Sequence, residues 1–136
     1  MDRFTRNYSI FLGVVVLLLL VWALYEDPAV SELNELLEQD RVVSSYPYKF
    51  HVLRIENRVA VMSSPRNSMF PMHKALGVIF PRLANRAQDN PDLMQAQQEL
   101  ASVQKQAKRI VVESGRVARI RWELDRQWLS NRGITP

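Results

Sequence analysis

The residues that could carry out catalysis or bind a metal are few and widely spaced. The two histidines, His51 and His73, stand apart from each other and from any H-x-x-H or H-E-x-x-H motif, the short spacings that place zinc ligands together. The sequence contains no cysteine, which excludes disulfides, thiolate metal sites and thiol catalysis. We therefore predict neither a metal nor a cofactor.

Serine chemistry has one candidate region. Ser63, Ser64 and Ser68 lie close in sequence to His73, and a serine becomes a nucleophile when a base lies within hydrogen-bond reach. However, the sequence lacks the G-x-S-x-G turn that presents such a serine. Its four glycines are isolated, so it also lacks a glycine-rich phosphate loop. The sequence predicts a protein that is not an enzyme.

An apolar segment from Tyr8 to Tyr25 must position whatever follows it. It contains no charge, proline or amide side chain. As an α-helix it spans about 27 Å, close to the ~30 Å hydrocarbon core of a bilayer. Aromatic side chains that favour the headgroup level stand at its ends, with Tyr8 at one and Trp22 and Tyr25 at the other. We predict a transmembrane helix anchored by these three residues.

Charges on either side of the apolar segment predict its orientation. Arg3 and Arg6 precede it, whereas six acids and no base lie between Glu26 and Asp40. Because positive residues are retained on the cytoplasmic side, we predict a single-pass protein of the inner (cytoplasmic) membrane. Its N-terminus lies inside and its C-terminal domain is extracytoplasmic, periplasmic in a bacterium. Cleavage as a signal peptide near Val21-Trp22-Ala23 is the alternative.

Charge also divides the rest of the chain. Residues 41–136 contain sixteen Lys and Arg against seven Asp and Glu, a net charge of +9, and the run from Arg58 to Arg86 has five bases and no acid. Such a surface is either solvated or meets an anionic partner. The predicted segments are a cytoplasmic tail (1–7), the transmembrane helix (8–25), an acidic juxtamembrane amphipathic helix (26–41) and a small basic α+β domain (42–136).

Hydrophobic periodicity and helix-start signals give the fold class. The predicted elements beyond the membrane are a short helix over 29–40, hairpin strands over 48–55 and 58–63 with a turn at Glu56-Asn57, a helix over 71–80, a long helix over 92–114 and a strand over 116–124. We predict an α+β fold in which a single N-terminal transmembrane helix precedes a small, mainly antiparallel sheet. This sheet is a hairpin plus a third strand, packed by the long helix.

Three surfaces are candidates for contact with a partner or an anion. They are the stripe Leu33, Leu36 and Leu37, the heptad seam Leu93, Leu100, Val103 and Ile110, and the basic strand face with Arg119 and Arg121. Both apolar stripes could instead pack on the chain's own domain, and the seam could form a homo-oligomer. The basic strand face could hold an anion or pair with acids on a neighbouring strand.

These features predict a non-enzymatic single-pass membrane protein. Its extracytoplasmic domain would be an interaction, scaffolding or assembly subunit of an envelope complex, with the lipid bilayer and another envelope or membrane protein as partners. The alternative is a module that binds an anionic ligand or anionic lipid at the membrane surface. Nucleic acid is disfavoured as a partner because the predicted orientation places the domain away from the cytoplasm.

Overall fold

The computed structural model describes residues 3–24 and 27–136. Helix α1 (Arg3–Leu24) contains the apolar segment, and none of its residues is buried. By length and composition, α1 is able to cross a membrane. Two of the predicted anchors, Tyr8 and Trp22, are exposed on α1, whereas Tyr25 lies outside the described residues.

The rest of the described chain folds as a small α+β domain, as predicted. Its helices are α2 (Pro28–Gln39), α3 (Arg41–Ser45), α4 (Met72–Ile79), α5 (Pro91–Glu113) and α6 (Arg126–Ser130), its strands are β1 (Val52–Glu56), β2 (Val59–Ser64) and β3 (Arg119–Leu124), and a 3-10 turn covers Pro81–Leu83. Both predicted helix starts are present, since Asp27 caps α2 through Ala29 N and Asn90 caps α5 through Leu93 N.

The sheet is mixed rather than mainly antiparallel, which corrects the prediction. Its strand order is β1-β2-β3, with β1 antiparallel to β2 and β2 parallel to β3. The parallel pairing arises because the chain passes through α4 and α5 between β2 and β3. A crossover of this length returns the chain to the end of the sheet from which β2 started.

The hairpin turn lies one residue later than predicted. Asn57 and Arg58 occupy its two central positions with φ values of 50° and 63°. Two consecutive residues with positive φ are typical of the type I′ turn, whose twist matches that of the flanking strands. Because the sequence has no glycine here, the usual marker of this turn was missing.

The main core lies between the sheet and helices α2 and α5. It contains three buried residues of α2, namely Val30, Leu33 and Leu37, together with the buried face of α5. Helix α2, which the sequence placed in a separate juxtamembrane segment, therefore shares its core with the rest of the domain. The side chain of Asn34 also joins α2 to β1, since its Oδ1 accepts from Val52 N (2.6 Å) and its Nδ2 donates to Val52 O (3.2 Å).

Candidate functional site

The apolar stripe of α2 is not a free surface, contrary to one of the two interpretations given above. Leu33 is fully buried and Leu37 is 2% exposed, whereas Leu36 is 40% exposed. An amphipathic helix that lies on a sheet directs its apolar stripe into the core. Of the three predicted contact residues, Leu36 is therefore the one that a partner could reach.

The heptad seam of α5 is also used inside the domain. Leu93, Leu100 and Val103 belong to the main core, and the partly buried Ile110 packs against it. Their exposed fractions of 1%, 0% and 5% leave almost no surface for a second helix. A homo-oligomer through this seam would have to disrupt the core, because a coiled coil needs these side chains as its knobs.

Part of the basic strand face of β3 is paired with acids. Arg54 on β1 reaches across the sheet and donates to both carboxylate oxygens of Glu123 on β3 (3.0 and 3.1 Å). Arg54 Nε also donates to Glu56 Oε1 (2.7 Å), and Arg121 Nη2 lies 3.9 Å from Glu56 Oε2. We call these four residues and Arg119 the sheet face.

The ion pairs of the sheet face change the protonation of its carboxylates. The hydrogen bonds from Arg54 are the largest cause that lowers the pKa of Glu123, and Coulomb attraction to Arg54 and Arg121 acts in the same direction. Arg119 is exposed and forms no ion pair with any residue in 3–24 or 27–136. The structure thus places both predicted arginines on this face, beside Glu123 of the same strand and Glu56 of β1.

The serines and histidines do not assemble as the sequence suggested. Ser64 and Ser68 line one groove, whereas His73 lines a separate depression with Lys74 and Arg86. Instead, Ser63 Oγ lies 3.0 Å from His51 Nδ1, and Ser63 is fully buried. A serine in this position has no open path for a substrate to its hydroxyl.

Two tyrosines, Tyr46 and Tyr48, are also buried in the domain. The hydroxyl of Tyr48 donates to Asp125 Oδ2 (2.8 Å), and the same carboxylate caps α6 by accepting from Trp128 N (3.0 Å). The hydroxyl of Tyr46 is buried without a hydrogen-bond partner among the described residues. Burial raises the pKa of both phenols, that of Tyr46 to about 12.

A second cationic surface, which we call the basic groove, lies between α5, β3 and the loop after β2. Its volume is about 420 Å³. The charged side chains that line it are Arg66, Lys105 and Lys108, and the other side chains include Gln104, Ser68 and Trp122. None of the described residues that line this groove is acidic. The groove therefore concentrates positive charge in a concave surface.

A ring of hydrogen bonds fixes the arginine of this groove. Arg66 Nε donates to Gln104 Oε1 (3.0 Å), Gln104 Nε2 donates to Ser64 Oγ (3.2 Å), and Ser64 Oγ donates to the carbonyl of Arg66 (3.0 Å). Gln104 is 6% exposed and Ser64 is 1% exposed, so the ring is anchored in the protein interior. Such an arrangement holds a guanidinium in place before a ligand arrives.

Sequence reasoning missed this groove because its parts come from three distant segments. Arg66 belonged to the long run of bases without acids, which was a valid signal of positive potential. Gln104 lies within the predicted long helix, and its burial beside Arg66 had no marker in the sequence. Among the described residues, no group of three or more His, Cys, Asp and Glu side chains could hold a metal ion.

Comparison with known proteins gave no relative: the chain matches no protein-family model, no curated protein and no solved structure.

Proposed function

We propose that this chain is a non-enzymatic single-pass membrane protein whose extracytoplasmic domain is an interaction, scaffolding or assembly subunit of an envelope complex. The observation that supports this most strongly is the exposed, apolar α1 directly ahead of a domain with its own core. An uncovered apolar helix of this length is stable in a bilayer and costly in water. The orientation, with the N-terminus inside, rests on Arg3 and Arg6.

The shape and chemistry of the domain favour binding over catalysis. Its Ser–His contact is buried, and its ion pairs on the sheet face are mutually satisfied. The surfaces left for a partner are the basic groove and the exposed part of α2 around Leu36. A membrane-tethered domain with such surfaces acts by holding another component at the membrane.

The test of this proposal is affinity purification of the full-length chain from native membranes. We expect a defined envelope or membrane protein to co-purify in constant proportion to the chain. A variant that carries L36A together with K105Q and K108Q is expected to lose this protein while remaining in the membrane fraction. Recovery of the chain alone at every ionic strength tested would contradict the proposal.

The second candidate function is binding of an anionic ligand or anionic lipid. It is favoured by the basic groove, whose described lining residues include three cations and no acid. The isolated domain 27–136 contains the whole main core and can be tested without α1, which would insert into any vesicle. We expect it to sediment with anionic vesicles and not with neutral ones, and equal binding to both would contradict this candidate.

A further inference from the structure

The arginine of the basic groove has unused donors that point to a ligand. Its Nε is bound to Gln104, whereas its two Nη nitrogens make no hydrogen bond or ion pair with a residue of the described chain. An arginine held through Nε presents its Nη groups as donors to an anion. Guanidinium groups bind phosphate or carboxylate through paired hydrogen bonds, so they favour anions that present two oxygens side by side.

The neighbours of Arg66 favour an anion with more than one charge. Lys105 and Lys108 line the same groove and lie three residues apart on α5, which places them on one side of the helix. Three cations and no acid attract a doubly charged group more strongly than a single carboxylate. Near neutral pH a phosphate monoester carries between one and two negative charges and offers three acceptor oxygens.

We propose that the basic groove is a binding site for a phosphate monoester, either free or as the headgroup of an anionic lipid. Arg66 makes the paired contact, Lys105 and Lys108 add charge, and Gln104 is a positioning residue that holds Arg66. The half-buried Trp122 offers an apolar wall for the organic part of the ester. This inference rests on the second candidate function and specifies its site and ligand.

The test uses the full-length chain in maltoside micelles, which contain no phosphate, with glycerol phosphate as the probe. Isothermal titration calorimetry at low ionic strength measures its affinity at pH 7.5. We expect binding to be at least about tenfold tighter than that of succinate, a dicarboxylate of similar charge. Equal affinity for the two anions, or the absence of glycerol phosphate binding, would overturn the proposal.

Matched variants locate the site. R66K keeps the charge but removes both the bond to Gln104 and the paired donors, so we expect glycerol phosphate to bind at least about tenfold more weakly. R119Q removes a cation outside the groove and is expected to stay within about twofold of the unmodified chain. Unchanged affinity in R66K would overturn the site.

A second variant separates binding from folding. Q104E replaces the neutral amide by a carboxylate that pairs with Arg66 and neutralises it, while the side chain keeps its size. We expect weaker binding of glycerol phosphate in a protein that still folds, at a somewhat lower temperature of unfolding because the carboxylate cannot donate to Ser64 Oγ as the amide does. Unfolding temperatures are measured for every variant, so a loss of affinity in a folded protein is attributable to the groove. Full affinity in folded Q104E would contradict the role given to Gln104 and Arg66.

The two sources of the phosphate group are distinguished in nanodiscs. The full-length chain is placed in phosphatidylcholine discs with or without phosphatidic acid, and glycerol phosphate is titrated again. If the groove holds a lipid headgroup, phosphatidic acid competes for it and lowers the apparent affinity for glycerol phosphate. If the ligand is a soluble phosphate ester, phosphatidic acid leaves this affinity unchanged. If glycerol phosphate fails to bind but the domain still sediments with anionic vesicles, this site is wrong and the anion-binding function remains.

Discussion

The sheet face and the basic groove contain the same kinds of cations and differ in what surrounds them. On the sheet face, Arg54 and Arg121 approach the carboxylates of Glu56 and Glu123. In the groove, Arg66 is held by a neutral amide, and none of the described residues that line the surface is acidic. Cations paired with acids stabilise their own fold slightly, whereas cations without acids retain their attraction for an external anion.

The apolar stripes of α2 and α5 pack within the domain, so the charged surfaces remain for binding. We expect L33A to lower the free energy of unfolding by about 2–5 kcal/mol, because it leaves a cavity in the core. The matched variant L36A removes an exposed leucine of the same helix and should change it by less than about 0.5 kcal/mol. Chemical denaturation of the domain 27–136 measures both, and equal small effects would mean that Leu33 is not a core residue.

Removal of two cations from the basic groove or from the sheet face tests which of the two surfaces binds anionic vesicles. We expect K105Q/K108Q to weaken binding of the domain to anionic vesicles about 30-fold, since each lysine near such a surface contributes about 1 kcal/mol. R119Q/R121Q removes the same charge from the sheet face and should weaken binding by about threefold or less, because Glu56 and Glu123 already offset that face.

Charge reversal at Arg119 and Arg121 is the strictest test of anion binding by the sheet face, because the sequence predicted these two residues as candidate contacts. If the sheet face binds the anionic partner, reversal should abolish binding while the domain stays folded. Co-sedimentation at low and high salt measures the difference between the two surfaces. A larger loss of binding from R119Q/R121Q than from K105Q/K108Q, which remove the same charge, would show that the sheet face and not the groove binds the vesicles.

The hydroxyls of Tyr48 and Tyr46 allow a similar comparison inside the core, because Tyr48 has a hydrogen-bond partner and Tyr46 has none among the described residues. Y48F removes the bond to Asp125, and we expect it to lower the free energy of unfolding by about 1–2 kcal/mol because the carboxylate loses a buried donor. Y46F removes a buried hydroxyl that has no partner among the described residues, so we expect no loss or a slight gain in stability. Thermal denaturation measures the stability of both variants. A larger loss of stability in Y46F than in Y48F would contradict the hydrogen-bond assignment.

The smallest effect concerns the ion pairs of the sheet face at acidic pH. Because the pKa of Glu123 is lowered from its ordinary value of 4.5, its contribution to stability is present above that value. This contribution is lost as the pH falls through the lowered pKa. We expect E123Q to destabilise the domain at neutral pH by less than about 1 kcal/mol, with a smaller difference at low pH.

Unfolding temperatures measured against pH test this prediction, with E38Q as a control. Glu38 is an exposed acid of α2 that makes no ion pair with a described residue. The curves of the unmodified domain and E123Q should converge as the pH falls, whereas E38Q should unfold at the same temperature as the unmodified domain at neutral pH, because it removes no ion pair with a described residue. Parallel curves for E123Q would show that its pair with Arg54 contributes nothing measurable.

The sequence predicted the elements better than the partners of their side chains. Apolar periodicity and the two cap-proline signals located α2 and α5, and period-two alternation located β3. The parallel pairing of β3 was missed because strand direction depends on the route of the chain between strands. The ion pair of Arg54 with Glu123 and the bond of Arg66 with Gln104 join segments far apart in sequence, so local patterns could not indicate them.

In the proposed function, helix α1 stays in the membrane and holds a binding domain outside the cytoplasm. The decisive experiment fuses to Pro136 a phosphatase that is active only outside the cytoplasm and then extracts the membranes with alkali. We expect enzymatic activity that stays with the membrane pellet and a mature chain that still contains α1. Activity that is released into the supernatant, a chain that begins after Ala23, or a silent reporter would contradict the claim.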